Sequence, residues 1–227
     1  DGAFYFAAGG RGTQSALYRV TYVGNESTNA SSASISQGAE LRALRRRLEE
    51  FHGKTNGDLR VILENLGHND RFIRYAARVA LESQPFDSWR DAAFSTKETK
   101  TLLNAMLAVA HQGTAKEVGP IVDKLSAMNF ESLGEADQLF WLRVLQVTFA
   151  RHGEPTSEKR EKLVRRLEAL YPAKSYPLNA ELVQLLVYLQ SPTVIAKTLS
   201  LMDNLGTEPI PDWGYLVTRN AGYGGTV

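Results

Sequence analysis

The sequence predicts an all-α protein: an α-solenoid of about four helix pairs behind a single first helix, preceded by a short N-terminal β-hairpin. Three observations predict it. From Glu40 onward the apolar residues recur with a period of about 3.6, the signature of an amphipathic helix face. The helical segments return in pairs at intervals of about 35 to 45 residues, the spacing of arrays in which each pair buries its apolar face on its neighbours. Ahead of them, "DGAFYFAAGGRGTQSALYRVTYVG" holds two aromatic and β-branched runs around glycine.

Taken in order, residues 3–8 "AFYFAA" and 16–23 "ALYRVTYV" read as two strands, and "GGRGTQS" between them as a longer loop that glycine makes accessible. Residues 25–37 have no apolar periodicity and are dominated by Ser, Asn and Thr, so they read as a polar interdomain linker. Leu41, Leu44, Leu48 and Phe51 then fall on one face of a first helix, with Arg42, Arg45, Arg46 and Glu49 turned away. Further helices are expected near 58–66 and 70–83, 98–112 and 115–127, 135–152 and 158–170, and 178–190 and 192–204. Ser95 with Glu98, and Ser132 with Glu135, have capping-box spacing. Ser191-Pro192 places a cap before a proline suited to a first turn, and glycine closes "FHG", "HQG" and "RHG". The helical domain is thus expected over 38–206, with the start of a further helical element at 207–227.

Composition narrows the function classes. With 26 Lys+Arg against 25 Asp+Glu, the net charge of +1 supplies no whole-molecule field toward nucleic acid or an anionic membrane. The absence of cysteine removes disulfides, thiolate nucleophiles, Cys-ligated zinc and covalent haem attachment within this stretch. No run approaches the roughly 20 apolar residues of a membrane span, so no membrane insertion by this segment is expected. The chain starts at Asp1 rather than Met, and "RNAGYGGTV" brings no closing element, so it reads as a segment of a longer protein.

The residues that could carry chemistry read as structural. His52, His111 and His152 precede glycines at expected helix ends, where an imidazole interacts well with the carbonyl end of the dipole, and His68 follows a glycine in a turn. None forms a metal-binding pair with a neighbouring carboxylate, so no metal site is expected. "LRALRRRLEEF" and "SEKREKLVRRLEALY" are basic, but their interleaved glutamates give pairs such as Glu158 to Lys162 and Glu161 to Arg165. These faces read as solvated and salt-bridged rather than as a nucleic-acid grip. Trp89, Trp141 and Trp213 read as core or inter-repeat packing. No nucleophile elbow, phosphate loop or close carboxylate pair stands in a context that supports catalysis, so no complete active site and no cofactor are expected in this chain.

Two resemblances sharpen this reading. "DRFIRYAARVALE" carries Asp70, Ile73-Arg74, Ala76-Ala77 and Ala80-Leu81 in the order of the second helix of a HEAT repeat. There the alanines permit close helix approach, and Asp70 and Arg74 are the structural motif residues that bond between adjacent turns. More widely, the opening stretch, the linker, "LRALRRRLEEFHG", "LYPAKSYPLNAELVQLLVYLQSPTVIAKTLSLM" and "RNAGYGGTV" resemble the middle of bacterial multidomain proteins described as membrane-bound dehydrogenase-like or haem-binding c-type cytochrome proteins. In that family a β-propeller related to sugar and sorbosone dehydrogenases is followed by a HEAT-like region and a cytochrome c domain with a C-x-x-C-H motif. The resemblance implies that residues 1–24 are the terminal hairpin of a truncated propeller, with Arg11 and Gln14 in its loop. It also implies a periplasmic or otherwise exported location, haem in a C-terminal domain outside this chain, and other domains of the same polypeptide as partners. The alternative is a stand-alone module binding a partner protein or peptide on a concave helical face.

Overall fold

The computed structural model describes residues 3–10, 12–27 and 38–204. Arg11, the linker from Thr28 onward, Trp213 and the element expected at 207–227 lie outside the described residues. The chain divides into two units, Asp1–Arg42 and Ala43–Val227.

The first unit carries an antiparallel hairpin, β1 (Phe4–Gly10) and β2 (Thr13–Val20). The expected loop over 9–15 is instead mostly strand: Gly10 pairs with Thr13 after a register shift, and Gly12 turns the chain with φ +79. Gln14 therefore lies in β2 and is exposed, a correction to its expected loop position. The strand ends at Val20, short of the expected Val23, because pairing stops with Phe4. Across the ladder Phe6 stacks on its partner Tyr18 at 5.0 Å, and the Arg19 guanidinium lies 6.0 Å from the ring of its partner Tyr5.

The helical part has ten α-helices among the described residues. They are α1 (Ala39–Glu49), α2 (Leu59–Glu64), α3 (Arg71–Glu82), α4 (Arg90–Ser95), α5 (Thr99–Gln112), α6 (Val118–Ser126), α7 (Glu135–His152), α8 (Ser157–Leu170), α9 (Tyr176–Tyr188) and α10 (Val194–Asn204). Helix α4, led in by a 3-10 turn at Phe86–Ser88, occupies a stretch for which no helix was expected. It forms because Trp89 and Ala93 bury completely, Trp89 edge-on to Phe86 at 5.0 Å, and drag six residues into a turn too short to show periodicity.

Packing follows a simple order. Helix α3 packs on α5, α5 on α7 and α7 on α9, while α2, α4, α6 and α8 each pack on the helix that follows them, and α10 packs on α9. Helices α3 and α5 pack together, and both carry small buried residues, Ala76, Ala77 and Ala80 on α3 and Ala105 and Ala108 on α5. Every residue of α5 from Leu102 to Ala110 is buried, which explains its nearly continuous apolar sequence. Of the expected α1 face, Leu48 is fully buried and Leu44 and Phe51 pack against the core, whereas Leu41 is exposed.

Helix ends correct two expectations. Ser95 and Ser132 are not caps: each hydroxyl donates backwards, to the carbonyls of Asp91 and Asn129 at 2.8 Å. Glu98 itself caps α5, accepting from the N–H of Lys100 and Thr101 and from the Thr101 hydroxyl, and α7 starts after Gly134 without a side-chain cap. Gly53 and Gly153 adopt φ +70 and +81 as expected of helix-closing glycines. Gly113 does not, and is small for another reason: a Cβ there would stand 2.7 Å from the Val109 carbonyl oxygen.

Candidate functional site

The residues singled out from the sequence hold the fold. Asp70 Oδ1 accepts from the N–H of Phe72 at 2.7 Å and of Ile73 at 3.2 Å, capping its own helix rather than bonding Arg74. Arg74 donates to the carbonyls of His68 at 2.5 Å and Asn69 at 2.8 Å, closing the turn before α3. His52, His111 and His152 reach across to neighbouring helices instead of serving their own helix ends. His52 Nε2 donates to Ala76 O and His152 Nε2 to Ala110 O, each at 2.9 Å. His111 Nδ1 donates to Glu82 at 2.7 Å, and Glu82 also accepts from Arg78. His68 Nδ1 accepts from the Asp70 N–H at 3.0 Å. Among the described residues no group of three or more His, Asp or Glu could hold a metal ion, and no helix is long and apolar enough to cross a membrane.

Three further polar clusters were invisible in the sequence because their members lie more than 20 residues apart. Arg90 grips the buried Glu117 with two parallel bonds of 3.0 and 2.9 Å, and the bond to Glu117 raises the guanidinium pKa. Gln84, also buried, donates to Lys54 O and Ala80 O and accepts from Gly57 N–H, clamping the loop after α1 to the end of α3. Glu168 of α8 accepts from the hydroxyls of Ser191 and Thr193, bonds that hold its carboxyl below the usual carboxylate range. Lys197 adds bonds to Glu168 O at 2.6 Å and Tyr171 O at 3.1 Å. The expected Glu158–Lys162 and Glu161–Arg165 pairs form at 2.7 and 3.8 Å on the exposed face of α8. In each cluster the hydrogen-bonding capacity is spent on neighbouring helices, leaving little poised for a substrate.

The exposed surface carries a different signal. Val183, Val187, Val194, Ile195, Thr198 and Leu199 line an apolar cavity of about 190 Å³ between α9 and α10. Its rim is unusually open for such residues: Val187 is 58% exposed, Ile195 71%, Leu199 57% and Met202, one turn further on, 61%. A second groove of about 200 Å³ lies between α7 and α9, where Phe149 stacks on Tyr188 at 5.9 Å and Gln146 bonds Glu181 at 2.5 Å. The two grooves share no lining residue, Val187 of the first and Tyr188 of the second being neighbours in α9. The open apolar face of α9 and α10 is the kind of surface that marks an interaction site, and it is the candidate functional site. No protein-family model, curated protein or solved structure matches the chain.

Proposed function

We propose that this chain is the non-catalytic, HEAT-like scaffold of an exported dehydrogenase-like, haem-binding c-type cytochrome protein. The helical array is read as an α-solenoid that positions a propeller domain relative to a cytochrome domain for electron transfer. The supporting observation is the apolar face of α9 and α10, with Val187, Ile195, Leu199 and Met202 open at the end of a row of alternate helices. In a stacked array such a face is covered by the next element, here the domain that follows in the polypeptide. The chemistry belongs to those other domains, and the scaffold contributes geometry. The test is the parent reading frame: propeller motifs upstream of Asp1 and a C-x-x-C-H downstream of Val227 are expected, and the absence of either refutes the assignment.

A stand-alone interaction module is the second reading. It is favoured by α3, where Phe72 and Tyr75 are 53% and 60% exposed beneath the guanidinium groups of Arg71 and Arg78, residue types that dominate protein interfaces.

A further inference from the structure

A cavity remote from that apolar face has the opposite character. It measures about 290 Å³ and is walled by Thr96 and Lys97 before α5, Thr99 and Leu102 of α5, Lys124 of α6, Met128 and Asn129 just after it, and Ser132 and Leu133 before α7. No lining residue is a carboxylate. Lys97 and Lys124 meet no acid within ion-pair distance among the described residues, although each has one beside it in the chain. Glu98 is turned away to cap α5, where partial burial pushes its carboxyl up but the bonds from Thr101 and Lys100 outweigh this and hold it low. Asp123 is taken by Lys159 of α8. The Thr99 hydroxyl and the Asn129 side chain likewise make no hydrogen bond to another described residue, so two lysines and two residues with neutral donors line one opening without a carboxylate among them. Leu102, Met128 and Leu133 add apolar surface beside them.

We propose that this cavity binds a small amphipathic anion. A carboxylate or phosphate head lies against Lys97 and Lys124, with Thr99 and Asn129 donating to it, and an apolar body no larger than about one ring rests on Leu102, Met128 and Leu133. The volume stands at the lower edge of ligand cavities, about 300 to 1,000 Å³, which limits the body to that size. Lysine suits the head because it acts as a point charge that accepts either anion geometry. The binding is independent of domain docking at α9 and α10.

The experiment is a titration of the full chain, followed in 1H–15N spectra, with phenyl phosphate, benzoate, inorganic phosphate and benzyl alcohol as separate probes. Saturable shifts confined to residues 96–102 and 124–133 are expected with phenyl phosphate or benzoate, and whichever binds more tightly identifies the head group. Inorganic phosphate should bind more weakly, and benzyl alcohol should shift nothing there. Lys97→Gln with Lys124→Gln, both at the surface, should weaken binding about tenfold or more while leaving the remaining spectrum unchanged. Lys116→Gln with Lys162→Gln removes the same charge elsewhere and should leave binding intact. No saturable shift with either aromatic anion, equal binding of the alcohol, or equal weakening by the two lysine pairs would overturn the proposal.

Discussion

Replacing Glu168 by glutamine tests how the apolar α9–α10 face is held in place. The Glu168 carboxylate accepts from Ser191, which is buried, and from Thr193 at 2.7 Å, and so fixes the chain as it turns into α10. Glutamine keeps one acceptor and the shape but loses the charge. Hydrogen bonds to a charged group contribute about 1.5 to 3 kcal/mol where neutral ones contribute about 1, and partial solvent access reduces the difference, so the loss is about 1 kcal/mol near neutral pH. The pH dependence gives the internal control. The folded-state pKa of Glu168 is depressed by the Ser191 and Thr193 bonds, so its stabilisation is complete above the unfolded carboxyl value of about 4.3 and disappears as pH falls through the lower folded value. Urea unfolding followed by circular dichroism should separate E168Q from the parent at pH 7, and the gap should narrow as the pH is lowered to about 3. Amide exchange at pH 7 should accelerate in α10 before the other helices. An equal gap at both pH values, or none at pH 7, refutes the claim that the ionised carboxylate anchors α10.

Substitutions at three other positions check the helical packing. Asp70→Ala removes both cap bonds of α3 and should cost about 1 kcal/mol, read as a lower urea midpoint with unchanged slope. Trp141→Phe keeps most of a fully buried ring facing Phe130 and loses the indole N–H bond to the Leu125 carbonyl at 3.0 Å, which still accepts from the Met128 N–H, for a cost of about 1 kcal/mol; Trp141→Ala should cost more, about 3 to 5. Gly153→Ala places a Cβ on a residue at φ +81 and should destabilise by about 1 kcal/mol even though open space surrounds it, whereas equal stability would mean that the turn after α7 relaxes.

How much of this was legible depended on range. Helix α7 spans Glu135–His152, the expected 135–152, and α3 lies within one residue of its expected bounds behind the Asp70 cap, because long amphipathic segments announce themselves. Helix α4 did not, since six residues complete fewer than two turns and its stability comes from burying Trp89. The serines were misread because spacing cannot say whether a hydroxyl points forward to free N–H groups or back to a carbonyl. Of the candidate surface, "LVQLLVYLQSPTVIAKTLSLM" showed its apolar content, but period alone did not separate Leu182, Leu185 and Leu186, which bury, from Val187, Ile195 and Leu199, which do not. That partition depends on which helix lies alongside. The lysine-lined cavity was equally hidden, because Lys97 and Lys124 are 27 residues apart.

The polar groups carry the last step of the argument between scaffold and catalyst. A catalytic constellation keeps donors and acceptors partly unsatisfied until substrate arrives, and its titrating groups face a cleft. Here several carboxylates bond across to other elements: Glu117 to Arg90, Glu82 to His111, and Glu168 to Ser191 and Thr193 at the turn into α10, while the buried Thr148 returns to the Val144 carbonyl of its own helix. His52, after α1, and His152, at the end of α7, also reach across, to the Ala76 carbonyl of α3 and the Ala110 carbonyl of α5. These bonds resist sliding of one helix along another, which apolar packing between alanine-rich faces permits at little cost. A row locked in this way would hold its two ends at a fixed separation, as the proposed scaffold role requires. Replacing His152 with phenylalanine, which fills similar space without the N–H, should therefore raise amide exchange in both α5 and α7; an effect confined to the turn after α7 would assign that histidine to its own helix end instead.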